Sequence, residues 1–372
     1  MKRILMLVTG GTIACEPSAD GLVPRLSGEA MLKDLPEIAA LCHVEFRELM
    51  NLDSSNLQPE DWQKMARAVA EEYEGYDGFV ITHGTDTMAY TSAALHLMLK
   101  NLGKPVVITG AQLPLSMPGS DGVPNLRDAF FTACEGEPGV FVVFHGSVID
   151  GARAKKMYTE NFAAYASVNA PLASITEKGV EWRERRPIPA QALELATELE
   201  TRVCILKLVP GTDPKLLDLV VAAGYRGIII EGFGAGGVPN DERGSFLPAI
   251  RRALDQDITI VCASQCIFDG VDLSRYPIGV LAARLGALSG GDKTVETLTV
   301  RLMQALKVCK GPEEIRAFME SPVSFSGGGP CLAPCLFRLF AYKKKKSSCG
   351  VSNEQSYGPY GNLFRRYPAG TL

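Results

Sequence analysis

The stretch VITHGTDTMAYTSAAL, residues 80–95, passes from an apolar run into His83-Gly84-Thr85-Asp86-Thr87 and then into a helix-forming segment. Polar side chains gathered around a glycine make a poor core but a natural strand-to-helix junction. A second stretch, ILMLVTGGTIA (4–14), has the same grammar: an apolar run that ends in Thr9-Gly10-Gly11-Thr12. Outward from these two, strands are expected at 3–9, 77–82, 104–110 and 139–145, with helices at 59–73, 87–101 and 125–135. Trp62, Met65, Ala66, Val69, Ala70 and Tyr73 recur at helical spacing within the first of those helices. Continuous apolar strands between amphipathic helices imply an α/β fold with a parallel sheet covered on both faces.

From about 170 to 200 the pattern weakens. EKGVEWRERRPIPAQALELATELE (177–200) is charged, holds two prolines and shows no strong strand, so it reads as a connector. A second α/β run follows, with strands at 202–211, 226–237 and 257–266, helices near 214–223 and 245–255, and a closing helix at 294–307. The expected organisation is an N-terminal domain over 1–185, a linker over 186–201, a smaller C-terminal α/β domain over 202–325 and an atypical, poorly ordered tail over 326–372. The tail carries LFRLFAYKKKK, a short basic amphipathic patch set among Gly, Ser and Pro.

The 372 residues carry a formal net charge of −4, which offers no electrostatic reason for a nucleic-acid or anionic-membrane partner. The ten cysteines are scattered. Cys262 and Cys266, like Cys331 and Cys335, stand four apart without a CxxC or a histidine cluster, so neither a metal nor a disulfide framework is expected. Reduced thiols in the cytoplasm are the simpler reading. MKRILMLV begins like a signal peptide, but its apolar run is short and enters TGGT without a small-residue cleavage site. No run is long enough to span a membrane.

In a doubly wound sheet, sites form beyond the carboxyl ends of the strands. Loops 9–12 and 82–87 then open on one crevice if their strands are neighbours. Together they offer hydroxyl nucleophiles, a carboxylate and backbone donors, the parts that acyl transfer requires. Each loop alone also has a plainer explanation: Asp86 or Thr87 as a helix N-cap, and TGGT as a tight turn.

TGGTIA (9–14), HGTDTMAYTSAAL (83–95) and ITGAQLP (108–114), in that order, resemble the bacterial-type L-asparaginase/glutaminase family. NLDSSNL (51–57) and DGARAKKMYTENFAAYAS (150–167) extend the resemblance, which covers about residues 1–320 and is most similar to the cytoplasmic type I branch. The resemblance implies a flavodoxin-like N-terminal domain with a parallel sheet and a smaller Rossmann-like C-terminal domain. It also implies a homodimer or homotetramer, no metal or organic cofactor, and L-asparagine as substrate with L-glutamine as an alternative. Residue by residue, it implies Thr12 as nucleophile and Thr85, Asp86 and Lys156 as a second constellation. Lys156 is matched in preference to Lys155 because it keeps the spacing to FAAYAS. Ser54 and Ser55 match the loop that binds the substrate α-carboxylate, Asp86 the partner of its α-ammonium, and Ala111 a backbone contact to the amide.

Without the resemblance, Arg153, Lys155 and Lys156 would read as a solvated basic cluster, and Ser54 and Ser55 as loop serines. A lysine takes a proton only when neutral, and the Asp86 carboxylate favours its charged form while burial opposes it. The residues alone leave open whether Lys156 acts as a base or as a stabilising charge. One departure is that family members commonly carry a tyrosine in the loop after TGGTIA, whereas CEPSADGLVPRLSGEAM (15–31) has none.

Three rival readings remain. GFGAGG (232–237) satisfies the dinucleotide fingerprint, with Asp255 or Asp257 downstream, but VPNDERG stands where its helix should begin. An ammonia-releasing component of a tRNA-dependent amidotransferase is a second reading, and a non-catalytic effector-binding relative is a third. Type I members can also be regulated at a second site; Cys266 reads by default as a buried core cysteine, with a place at the border of such a site as the alternative.

Overall fold

The computed structural model describes residues 1–323 apart from 20 and 34. The expectations for 326–372, for Cys331 and Cys335, and for the lysine run lie outside the described residues.

The main sheet has eight strands: β1 (Lys2–Gly10), β2 (Cys42–Leu52), β3 (Gly78–Thr82), β4 (Pro105–Thr109), β5 (Gly139–Phe144), β6 (Ser147–Asp150), β7 (Ala173–Thr176) and β8 (Gly179–Trp182). Their order across the sheet is β8-β7-β6-β5-β4-β3-β1-β2. The strands from β2 through β1, β3 and β4 to β5 run parallel, and β6, β7 and β8 extend that edge antiparallel. Two short helices, α1 (Gly28–Leu32) and α2 (Pro36–Leu41), precede β2. The longer α3 (Pro59–Glu71), α4 (Met88–Met98) and α5 (Gly122–Glu135) connect the parallel strands.

Alternation explains why these strands read as unbroken apolar runs. Leu5, Leu7, Phe79 and Ile81 face one core with Trp62, Met65 and Val69 of α3 and Leu95 and Met98 of α4. Ile4, Met6, Val8 and Val80 face a second core with Leu126, Phe130 and Ala133 of α5. A strand buried on both faces has no polar side to show.

Two elements depart from the sequence reading. β2 is the sheet edge, with one neighbour, and its Glu45, Arg47 and Glu48 are not buried, so its pattern is that of a half-solvated strand. The supposed connector begins with a hairpin: β7 pairs with β6 and β8 in antiparallel register, and Trp182 meets Phe141 edge-on at 5.5 Å. The expectation of no strand there is therefore corrected. Four-residue antiparallel strands with one exposed face carry too few apolar positions to stand out from charged loop.

A second, four-stranded parallel sheet is formed by β9 (Val203–Lys207), β10 (Gly227–Gly232), β11 (Thr259–Ser264) and β12 (Leu288–Ser289), in that order. Helices α6 (Lys215–Ala222), α7 (Leu247–Leu254), α8 (Pro277–Leu285), α9 (Val295–Val308) and α10 (Pro312–Glu320) accompany it. Ile228, Ile230 and Ile260 pack on Leu217, Phe246 and Ile250. The opposite face, through Ile229 and Val261, joins Leu298 and Leu302 of α9 and is continuous with the core containing Leu95 and Trp62. Helix α9 therefore packs against both sheet systems. Its buried Gln304 donates Nε2–H to the carbonyl of Ala196 at 3.1 Å.

Candidate active site

β1 and β3 are parallel neighbours, with Val8 opposite Thr82, so both motif loops leave the same edge of the sheet. Thr9 Oγ1 donates to the Thr82 carbonyl at 2.6 Å. Gly11 has φ of 81°, and a Cβ there would lie 2.3 Å from the backbone nitrogen of Gly84. A Cβ on Gly84 would in turn lie 2.5 Å from Ser54 Oγ. The two glycines let three loops, 9–12, 53–56 and 83–87, close on one point. The third loop is a 3₁₀ turn, Ser54–Asn56, begun by Asp53, whose carboxylate accepts from Ser55 N at 2.8 Å.

The cap explanation of HGTDT is not borne out. Thr87 precedes α4 but makes no side-chain capping bond, and its Oγ1 donates to the Ser54 carbonyl at 2.8 Å. Asp86 turns to Lys156 instead. Lys156 Nζ donates to Asp86 Oδ1 at 2.7 Å and to Thr85 Oγ1 at 2.7 Å. Ser55 Oγ donates to the other Asp86 oxygen at 3.4 Å. The Asp86 carboxylate is 60% exposed and Lys156 19%, so the pair sits at a mouth, with the carboxylate outward.

Lys156 ends the short strand Ala154–Lys156, paired with Tyr165–Ser167. Strand alternation sends Lys155 the other way, where it pairs with Glu296 at the start of α9 at 2.8 Å. Arg153 pairs with Asp292 at 2.9 Å. The three basic residues thus have three separate partners and do not form a solvated cluster.

Several residues that sequence reasoning passed over complete the site. Tyr165, opposite Lys156 in register, donates its hydroxyl to the Thr85 carbonyl. Burial, and then the Asp86 and Glu296 charges, push that phenol far above its ordinary range, so it stays protonated. Gln112 Oε1 accepts from Thr85 Oγ1 at 3.1 Å. Its backbone N–H lies 3.0 Å from both oxygens of Asp121, which also accepts from Leu113 N at 3.0 Å. Asn125 donates to the Gly110 carbonyl at 3.0 Å, so Asp121 and Asn125 together shape the turn that carries Ala111. Ala111 itself is fully buried. GAQLP pointed to this turn, but no spacing rule marks Gln112 or Asp121 as its builders.

His83, fully buried, donates Nδ1–H to the Gly84 carbonyl at 2.7 Å and accepts from Thr91 at 2.9 Å. A carbonyl can only accept, which sets the tautomer. Burial lowers its pKa to about 4. It is a neutral strut beneath the loop.

Thr12 opens a 3₁₀ turn, Thr12–Ala14, and is partly exposed, whereas Ser54 is buried and Ser55 is exposed. The next segment folds back as a ribbon, Cys15–Ser18 against Gly21–Pro24. Arg25 N and Leu26 N both donate to the Ala14 carbonyl, at 2.8 and 3.0 Å, tying the ribbon's return to the Thr12 turn. Among the described residues no group of three His, Cys, Asp or Glu could hold a metal, and no helix is long and apolar enough to cross a membrane. The GFGAGG segment forms a closed turn in which Gly236 N and Gly237 N both donate to the Phe233 carbonyl, and the next helix starts only at Leu247. That is not a phosphate-binding strand–turn–helix. Cys266 is exposed, not core, and borders a cavity of about 200 Å³ that Lys155, Glu231 and Lys293 also line. Burial lowers the pKa of Lys293 to about 8.

Comparison with known proteins agrees with this arrangement. Residues 3–188 match the family description "Asparaginase, N-terminal", and residues 202–319 match "Glutaminase/Asparaginase C-terminal domain". An L-asparaginase of Thermococcus kodakarensis is 38% identical over 328 residues, covering 87% of this chain and 98% of its own length. Its solved structure superposes with a TM-score of 0.81 at 37% identity, covering 88% of this chain and 99% of the other. A component of the glutamyl-tRNA(Gln) amidotransferase of Pyrococcus abyssi is 35% identical, covering 86% of this chain but 75% of its own length. The chain belongs to the asparaginase family.

Proposed function

We propose that the protein hydrolyses L-asparagine to L-aspartate and ammonia through a threonine nucleophile. The observation that carries this reading is the convergence at Gly84 of the Thr12 loop, the Ser54–Ser55 turn and the Thr85–Asp86–Lys156 constellation. Thr12 Oγ attacks the side-chain amide carbon, the C–N bond breaks, and ammonia leaves with the hydroxyl proton. Water then cleaves the resulting ester, which returns Thr12 and releases aspartate. The exposed Asp86 carboxylate receives the α-ammonium of the substrate, the Ser54–Ser55 turn its α-carboxylate, and Ala111 its amide. The chain works without a metal or organic cofactor, as a homodimer or homotetramer, and a cytoplasmic setting suits its scattered cysteines.

Glutamine is the competing substrate. One methylene is worth about 1–3 kcal/mol of discrimination, so modest turnover of glutamine accompanies that of asparagine. The similarity to an amidotransferase component supports a second reading, in which ammonia is released for a partner enzyme. Ammonia release by the purified chain, measured without and with an added amidotransferase partner, separates the two. Turnover of free asparagine without a partner supports the hydrolase. Turnover that appears only with an added amidotransferase partner supports the second reading.

A further inference from the structure

Thr85 has one hydroxyl hydrogen and two neighbours able to compete for it, Lys156 Nζ at 2.7 Å and Gln112 Oε1 at 3.1 Å. Which neighbour receives it decides what Lys156 does. The orientation of the Gln112 amide settles the matter. Its nitrogen lies 2.8 Å from the Thr159 carbonyl and 3.4 Å from that of Asn161. Carbonyls only accept, so the NH₂ group faces them and the Gln112 oxygen faces Thr85. That oxygen cannot donate. The Thr85 hydrogen therefore lies on Gln112, and the Thr85 lone pairs are turned to the N–H bonds of Lys156. The Asp86 carboxylate accepts a second N–H of the same lysine at 2.7 Å. The Gln112 backbone is not free to drift, because its N–H is held by Asp121, itself 5% exposed.

We propose that Gln112 is a positioning residue that fixes Lys156 as a hydrogen-bond donor, so that this lysine acts as a charge at the site and not as the base for Thr85. The inference rests on the amidase reading above and resolves the choice that residue types alone leave open. Thr85 and Gln112 form a one-way chain, Lys156 to Thr85 to Gln112, whose direction is set by the carbonyls of 159 and 161. Lys156 can then steady negative charge that develops on the substrate, which is an electrostatic role.

The other charged or titratable groups around Lys156 do not blur this reading. Asp86 faces it directly, Lys155 is engaged by Glu296, and Tyr165 on the paired strand stays protonated. Tyr90 on α4, beside Glu296, is raised to about 12, chiefly by burial.

The test is the pH profile of kcat for asparagine in wild type, Gln112→Leu and Gln112→Glu, with thermal unfolding measured on each. A donor lysine makes activity fall on the alkaline side. In Gln112→Leu the Thr85 hydrogen is released to the lysine nitrogen, which favours the neutral amine. The alkaline limb should then move to lower pH by about half to one unit, the worth of one exchanged hydrogen bond. In Gln112→Glu a carboxylate replaces the amide oxygen, favours the ammonium, and moves the same limb to higher pH by about one unit. Opposite displacements are not produced by general loosening of the fold. An alkaline limb that stays in place in both variants, or a wild-type profile whose governing limb is the acid one, overturns the inference while leaving the hydrolase reading intact. A wild type that releases no ammonia overturns the hydrolase reading and this inference with it.

Discussion

His83 shows how much of the site is scaffold in the service of two or three reacting groups. Its ring occupies the core side of the HGTDT loop, bonded on one side to Gly84 and on the other to Thr91. The pKa of about 4 that burial imposes has a consequence for stability. Above pH 6.5 the imidazole is neutral in folded and unfolded chain alike. As pH falls from 6.5 toward 4, the unfolded chain takes a proton that the folded one refuses, so stability declines. Below 4 both forms are protonated and the decline from this group levels off. A shift from 6.5 to about 4 corresponds to a loss of roughly 3 kcal/mol across that window. Urea unfolding at pH 7 and pH 4.5 should show the loss in wild type and a smaller one in His83→Gln. Equal acid losses in the two proteins would mean that His83 does not titrate between the states.

Among the elements, legibility in the sequence followed burial. β1, β3, β4 and β5 lie inside the sheet with both faces covered, and their apolar runs were readable to within a residue or two. β2 and the β7–β8 hairpin carry solvent on at least one face, and their charged residues hid them. The site divides in the same way. Thr12, Thr85, Asp86 and Lys156 stand in motifs and were named from them. Gln112, Asp121 and Tyr165 act through geometry that arises only when a turn and a distant strand are folded against the motif, as when Tyr165 reaches the Thr85 carbonyl across 80 positions. The turn that delivers Lys156 is held by elements from both halves of the chain. Ser92 of α4 donates to the Gly151 carbonyl at 2.8 Å, and Thr297 of α9 donates to the Ala152 carbonyl at 2.7 Å. Both hydroxyls are fully buried. Thr297→Val keeps the shape, removes the donor and leaves a buried carbonyl unpaired, at a cost of about 1–3 kcal/mol. The expected result is a lower urea midpoint and a several-fold drop in kcat, because Lys156 follows the turn. An unchanged kcat in a destabilised variant would separate the turn from catalysis.

At the level of the whole molecule, the two family segments share one core. Leu302 of α9, fully buried, packs in the same cluster as Trp62 and Leu95 and against β10, where a Cβ on Gly227 would lie 2.8 Å from its side chain. Both tryptophans, Trp62 and Trp182, lie in the N-terminal segment. Leu302→Ala should cost about 2–5 kcal/mol through lost contacts and a residual cavity. If the segments unfold together, tryptophan fluorescence will report that loss although the substitution lies in the other segment. A fluorescence transition that does not move would show two independent folding units. The shared core also explains how Lys156, Thr85 and the Thr12 loop can be held in register by elements drawn from most of the chain. The most direct test of the central claim is ammonia release from asparagine by wild type and Thr12→Ala, assayed side by side with folding checked by circular dichroism. Turnover by wild type that falls on the order of a thousandfold or more in a folded Thr12→Ala is the expected result, as for loss of a nucleophile. Equal turnover in the two proteins would contradict it and move the nucleophile away from Thr12.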